Sequence, residues 1–137
     1  MILRRRVGGR DAGALILSYL IVVPVFMLAV MVIVQSALWY LAREAALAAA
    51  RQGVDAARVP GAAAGAGPAA ALAFVRDSAS GYLQVPTASM SGTQDAGGGA
   101  TATIQITVTG HIPTFVPGLV INISQAVQAP AEKFVAP

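Results

Sequence analysis

The chain holds few side chains of the kinds that carry out catalysis. Among its 137 residues one is histidine, six are acidic and none is cysteine. By composition His111 could complete a Ser-His-Asp arrangement with Asp77 or Asp95, but no nucleophile-elbow motif accompanies it. A metal site would need further histidines or a carboxylate cluster, which the sequence lacks. We therefore expect His111 to lie at the surface, and we expect no enzyme activity, cofactor or metal site.

Neither the glycine-rich nor the basic stretches indicate phosphate or nucleic-acid binding. GAAAGAG at 61–67 lacks the lysine and preceding strand of a phosphate loop, and GGG at 97–99 lacks a neighbouring strand and helix. The basic run Arg4–Arg10 is short and has no aromatic residue to stack on bases. From residue 12 onward basic and acidic residues balance, so the net charge of +3 belongs to the N-terminal tail. We expect no nucleic-acid partner.

A long uncharged run follows this tail. No residue from 12 to 42 is charged, whereas a bilayer core about 30 Å thick needs only about 20 helical residues. The arginines before the run predict a cytoplasmic N-terminus, and Trp39 and Tyr40 suit the far membrane interface. The sequence therefore predicts a single transmembrane helix over 14–41 in contact with lipid, with the rest of the chain outside.

The length of the run separates it from a cleaved secretory signal. A signal has an apolar core of about 7–15 residues, and this run is about twice that length. Pro24 lies inside it, where a proline removes one helical hydrogen bond and predicts a kink. We interpret the kink either as a simple bend or as a flexible point used when the helix leaves the membrane.

The helix should continue well beyond the bilayer. AREAALAAARQGVDAAR at 42–58 is rich in strong helix formers, and Val59-Pro60-Gly61 should end it. A single helix over 14–58 would be about 68 Å long at 1.5 Å per residue. Its small residues predict close lateral packing against other helices.

The C-terminal part predicts a small α+β domain. Residues 59–67 are a Gly/Ala/Pro linker, and Pro68 suits the first position of a helix over 68–81. Apolar residues alternate with polar ones in TATIQITVT (101–109) and LVINISQAV (119–127), and a weaker strand covers 83–90. We predict that residues 68–137 form this domain, with about three antiparallel strands covered by the short or the long helix. An edge strand is left open for strand addition.

In the order and spacing of its motifs the chain resembles the TadE-like pseudopilins of tight-adherence (Flp-type) pilus systems, with their type IV pilin-like N-terminus. The matching features are the basic tail, Gly13, the apolar run with Pro24, the alanine-rich stretch after Trp39-Tyr40, and residues 107–134. The resemblance thins over residues 59–100. It implies a bacterial inner-membrane protein that works by subunit association and is not an enzyme.

The resemblance also implies processing of the N-terminus. In this family a prepilin-type membrane peptidase cuts after a glycine on the cytoplasmic side, and Gly13 and Ala14 occupy that position here. Residues 1–13 would then be a leader. Other pilus or pseudopilin subunits are the implied partners.

Ser18 departs from the family pattern. The fifth mature residue in the family is usually a glutamate that pairs with the N-terminal amine of a neighbouring subunit in apolar surroundings, and serine carries no such charge. A subunit with serine there would initiate or cap a fibre, or remain uncleaved as a membrane-bound assembly factor. The alternative function is a single-pass anchor for an extracytoplasmic binding module, with no leader processing.

Overall fold

A computed structural model of the chain describes residues 11–59, 61–93 and 103–130. In chain order these residues form α1 (Asp11–Arg58), α2 (Ala66–Ser78), β1 (Gln84–Thr93), β2 (Thr103–Ile112) and β3 (Ile121–Pro130). A long apolar N-terminal helix, a short helix and a three-stranded antiparallel sheet confirm the predicted α+β class. The basic run Arg4–Arg10, Asp95, the GGG stretch and residues 131–137 lie outside the described residues.

Helix α1 runs for 48 residues and contains Pro24 without ending there. It begins at Asp11, three residues before the predicted start, and it ends at Arg58 as predicted. The end follows from the sequence, because Pro60 restricts Val59 to non-helical backbone angles. Asp55 and Arg58 form an ion pair of 3.7 Å in the last turn.

Helix α2 begins two residues earlier than the sequence predicts. Gly65 precedes it with a φ of +89°, a left-handed conformation that glycine adopts without strain. Ala66 is the first helical residue, so Pro68 lies third rather than first, still inside the turn where a missing N–H costs little. The helix stops at Ser78, whose carbonyl oxygen accepts a 2.7 Å hydrogen bond from the Tyr82 hydroxyl.

The three strands form an antiparallel meander in the order β1-β2-β3. Residues Thr87–Thr93 of β1 pair with Thr109–Thr103 of β2, and all ten residues of β2 pair with β3. The strand predicted at 83–90 is therefore extended to Thr93, because pairing with β2 continues that far.

The predicted alternation holds in the central strand. Ile106, Val108 and Ile112 of β2 are buried, while Thr107 and Thr109 lie on the other face. In β3 the buried residue is Ile123. Leu119, predicted to share the apolar face of β3, lies before the strand begins and is 48% exposed.

The core joins the second half of α1 to α2 and the sheet, so both helices cover the sheet. Its buried residues are Ala42, Ala45, Ala46, Ala49, Ala50, Val54, Ala71, Val75, Ala79, Leu83, Ile106, Val108, Ile112 and Ile123. The chain divides into two compact units between Gln35 and Ser36, so the second unit begins within α1 rather than after the linker. The alanine face predicted to pack against other helices is buried within its own unit.

The closest approach in this core is between Gly53 of α1 and Gly67 of α2. A Cβ placed on Gly53 would lie 2.8 Å from the carbonyl oxygen of Gly67 and 3.1 Å from the side chain of Ile106. A Cβ placed on Gly67 would lie 2.9 Å from the carbonyl oxygen of Gly53. Only glycine allows the two helix backbones and β2 to approach this closely.

Candidate functional site

The largest exposed apolar surface is the apolar half of α1, residues 16–34. Every side chain from Ile16 to Val30 is exposed, and most of these side chains are large and aliphatic. Among the described residues, α1 is one helix that is long and apolar enough to cross a membrane by length and composition. A helix that is apolar on all sides needs an apolar environment on all sides.

Three of the sequence-predicted site residues lie in the first two turns of this helix, and the fourth lies further along it. Gly13 and Ala14 are the third and fourth residues of α1, and Ser18 follows one turn later with an exposed side chain. Pro24 lies about 16 Å beyond Gly13 at 1.5 Å per residue.

Aromatic and basic side chains mark the point where the apolar half ends. The guanidinium of Arg43 lies over the ring of Trp39, 5.7 Å from its centroid. Trp39 is 42% and Tyr40 58% exposed. An exposed cation–π pair of this kind contributes about 0.5–1 kcal/mol and holds the ring beside a charged group. This combination suits a boundary between an apolar and an aqueous environment.

The second half of α1 differs in composition. Over residues 42–54, which we call the alanine-rich half, the buried side chains are alanines and Val54. Arg43, Glu44 and Arg51 are exposed on the other side of the helix. This half is therefore amphipathic, with its small face already covered by the chain itself.

His111 lies in β2 and faces its cross-strand partner Asn122. Its Nδ1 atom is 3.0 Å from Oδ1 of Asn122, and the side chain is half-buried. Asp77 is exposed near the end of α2. Within residues 11–59, 61–93 and 103–130, no group of three or more His, Cys, Asp and Glu side chains could hold a metal ion. The contact of His111 is that of a polar cross-strand pair.

The sheet face away from the core is polar and uncharged. Thr87 and Thr109 share a 2.6 Å hydrogen bond across β1 and β2. The same face also carries Ser89, Ser91, Thr93, Thr103, Gln105, Thr107, His111, Asn122, Ser124, Ala126, Gln128 and Pro130. Hydroxyls and amides both donate and accept hydrogen bonds, so this face can bond to donors and to acceptors of a partner.

The loop between β2 and β3 is apolar and ordered. Phe115, Val116, Leu119 and Val120 are between 48% and 62% exposed. Between Val116 and Leu119 the chain makes a turn in which the Leu119 N–H donates to the Val116 carbonyl oxygen at 3.2 Å. The sequence pattern predicted a strand over 119–127, so it did not indicate an exposed apolar cluster here. We call residues 115–120 the apolar loop.

Val85 carries the one positive φ among the non-glycine residues of the described chain, at +47°. It lies in the irregularity between Gln84 and Thr87, where the register of β1 shifts, and it is 68% exposed. A β-branched residue in this conformation is strained, at a cost of about 1–3 kcal/mol. No sequence signal marked this position.

No protein-family model, no curated protein sequence and no solved structure matches this chain.

Proposed function

We propose that the chain is a membrane-anchored subunit of a bacterial pilus-like assembly, of the TadE-like minor pseudopilin or assembly-factor type. The observation that carries this proposal is the division of α1 into an exposed apolar half and a buried alanine-rich half. The apolar half requires an environment that the chain itself does not supply. The alanine-rich half attaches that helix to a compact α+β unit.

Lipid is the environment proposed for the apolar half before assembly. All backbone hydrogen bonds of a helix are internal, which makes it one of the two structures that can span a bilayer. Trp39 and Tyr40 would lie at the outer interface, and the basic run Arg4–Arg10 would hold the N-terminus in the cytoplasm. The compact unit would then face outward from the inner membrane.

Association with similar helices is the proposed mechanism. Helices in a membrane or a fibre pack through side-chain contacts and small residues, so a partner subunit can replace lipid on one side of the apolar half. The polar sheet face and the exposed strand edges would contact other components of the assembly.

The first test is the N-terminal residue of the protein isolated from the membranes of its native cells. If a prepilin-type peptidase acts on the chain, the mature protein begins at Ala14. A start at Met1 would instead support an uncleaved assembly factor or the single-pass anchor of a binding module.

Two leader variants make this test specific. Gly13→Leu places a bulky side chain where the peptidase must bind and should leave the leader attached. Gly9→Leu makes the same change at another glycine of the leader and should leave cleavage unchanged. Equal cleavage of both variants would contradict a processing site at Gly13.

Ser18 distinguishes a pairing subunit from one that does not pair. Ser18→Glu restores a carboxylate that is costly in an apolar environment unless it is paired. If assembly depends on such pairing, this variant should co-purify with more of the other pilus subunits than the unmodified protein, and Ser18→Gln, of similar size without the charge, should not. Unchanged co-purification of Ser18→Glu would show that position 18 is not a pairing site.

A further inference from the structure

The apolar loop is a second exposed apolar surface, separate from the apolar half of α1. All six of its residues are exposed, and four of them have large apolar side chains. The sequence from Ile112 to Ala131 contains no charged residue. An exposed apolar cluster on an ordered loop indicates a contact surface rather than a simple connection.

The geometry of the loop holds these side chains outward. Pro117 and Gly118 are the central residues of the turn, and the φ of +82° at Gly118 is that of a type II turn. The Thr114 hydroxyl contacts the carbonyl oxygens of Leu119, at 2.6 Å, and of Val116, at 3.3 Å. The fixed φ of proline and these bonds order the loop without covering its side chains.

The position of the loop within the compact unit follows from the helix contacts. Gly67 lies against Ala57, while Ala71, one turn later in α2, lies against Gly53, so α1 and α2 are antiparallel. Gly67 also lies against Ile106, and Leu83, beyond the end of α2, lies against Gly110. Along β2, Ile112 therefore lies closer than Ile106 to the N-terminal end of the part of α1 that belongs to this unit.

Distances along α1 and β2 place the start of the loop at about the level of Trp39. From Gly53 back to Trp39 the helix covers about 21 Å at 1.5 Å per residue. From Ile106 to Ile112 the strand covers about 20 Å at 3.3 Å per residue. Leu38 still packs against the buried cluster, so α1 remains over the sheet for this distance. The apolar loop thus begins at the end of the unit where Trp39 and Tyr40 lie.

We propose that the apolar loop inserts into the interfacial region of the same bilayer that α1 crosses, as a second membrane contact of the compact unit. This inference rests on the proposed membrane-anchored function. A loop can enter the apolar part of a bilayer only if its backbone polar groups have partners. Here two carbonyl oxygens of the exposed turn have internal partners: that of Val116 accepts from the Leu119 N–H, and that of Leu119 accepts from the Thr114 hydroxyl.

The lack of cysteine in the chain makes a direct test simple. Phe115→Cys and Val120→Cys would each introduce a single thiol for a nitroxide spin label in the full-length protein. The labelled proteins would be reconstituted in vesicles of phosphatidylethanolamine and phosphatidylglycerol. Electron paramagnetic resonance would then compare collisions of each label with oxygen, which enriches in lipid, and with a water-soluble nickel chelate.

Two control positions separate the possible outcomes. Phe26→Cys reports on the apolar half of α1, and Ser91→Cys reports on the exposed polar face near the other end of the sheet. We expect the labels at 115 and 120 to have an oxygen-to-nickel collision ratio several-fold higher than the label at 91, and to approach the ratio at 26.

Three results would overturn the inference. A low ratio at 115 and 120 with a high ratio at 26 would show that the loop stays in water while the anchor holds. A low ratio at 26 as well would refute the membrane-anchored function itself. Protection of 115 from both reagents, with spectral broadening that disappears on dilution with unlabelled protein, would assign the loop to a contact between two copies of the chain.

Discussion

The two halves of α1 share one continuous helix and differ in the size of their side chains. In the apolar half, valine, isoleucine, leucine and phenylalanine point in all directions, and the side chains from Ile16 to Val30 are exposed. In the alanine-rich half, five alanines are at most 9% exposed beneath α2 and the sheet. Large side chains hold neighbouring elements away from the helix axis, while alanine lets them approach.

The two halves therefore differ in what covers their side chains. The buried face of the alanine-rich half is covered by the rest of the chain, through a core that includes the Gly53–Gly67 contact. The chain itself does not cover the apolar half, for which we propose lipid or other subunits. A substitution should therefore have opposite consequences in the two halves, which gives matched tests.

The largest difference is expected for a new charge. Val30→Arg should cost about 2.5–3.5 kcal/mol of membrane insertion, because it places a cation in the middle of the apolar run. Gln52→Arg makes a similar change at an exposed position of the alanine-rich half and should be neutral. Membrane fractionation and thiol-accessibility mapping of topology would measure both. Unchanged integration of Val30→Arg would refute the spanning assignment.

Enlarging a side chain should have a large effect in the alanine-rich half and little effect in the apolar half. Ala46→Leu adds volume at a position with no exposed surface and should destabilise the compact unit by about 1–3 kcal/mol. Ala29→Leu, on the exposed apolar half, should leave its stability unchanged. Hydrogen exchange of the β2 amides in the detergent-solubilised protein would report both effects. Equal exchange in the two variants would show that the alanine face is not packed in solution.

A smaller effect is expected where the two helices approach most closely. Gly53→Ala gains about 1 kcal/mol of helix propensity but places a methyl group 2.8 Å from a backbone oxygen. We expect a net loss of about 1 kcal/mol, because overpacking costs about 1–3 kcal/mol. Gly81→Ala meets no atom within 4 Å and should be neutral or slightly stabilising. Gly53→Ala should therefore speed the exchange of the β2 amides, while Gly81→Ala should leave it unchanged or slow it slightly. A stabilised Gly53→Ala would contradict the close contact.

The smallest effect concerns the strained residue of β1. Val85→Asn should stabilise the compact unit by about 0.5–1 kcal/mol, because asparagine adopts a positive φ more easily than valine. Val59→Asn makes the same change at another exposed valine with ordinary φ and should give no gain. Thermal unfolding of the detergent-solubilised protein would compare them. A loss of stability in Val85→Asn would mean that the valine side chain contributes contacts that outweigh its strain.

Local sequence signals predicted the elements of this fold, whereas its packing depended on contacts between distant residues. Proline after Val59 fixed the end of α1, and alternation in TATIQITVT and INIS predicted two strands with the correct inward faces. Leu119 continues that alternation, yet the Pro117-Gly118 turn takes Leu119 and Val120 out of β3. The hydrogen bonds of this turn therefore outweigh the sequence pattern, which predicted a strand that begins two residues before β3.

The site could be predicted only where it depends on composition. The uncharged run identified the apolar half of α1, since that property belongs to each residue separately. The choice of partner for the alanine face could not be predicted, because an alanine stripe packs equally well on another helix or on the chain's own sheet. That choice depends on Gly53 meeting Gly67 and Ile106, which lie far apart in sequence.

The separation between Gly53 and Ile106 also has a consequence for synthesis. At 5–20 residues per second, Ile106 leaves the ribosome roughly 3–10 s after Gly53. During that interval the sheet is not yet available to cover the alanine-rich half. Alanine favours the helix on its own and exposes only a methyl group at each position. The uncovered surface therefore has little apolar area that aggregation could bury. The small side chains that permit close packing in the folded unit therefore also limit aggregation of the alanine-rich half before the sheet is synthesised.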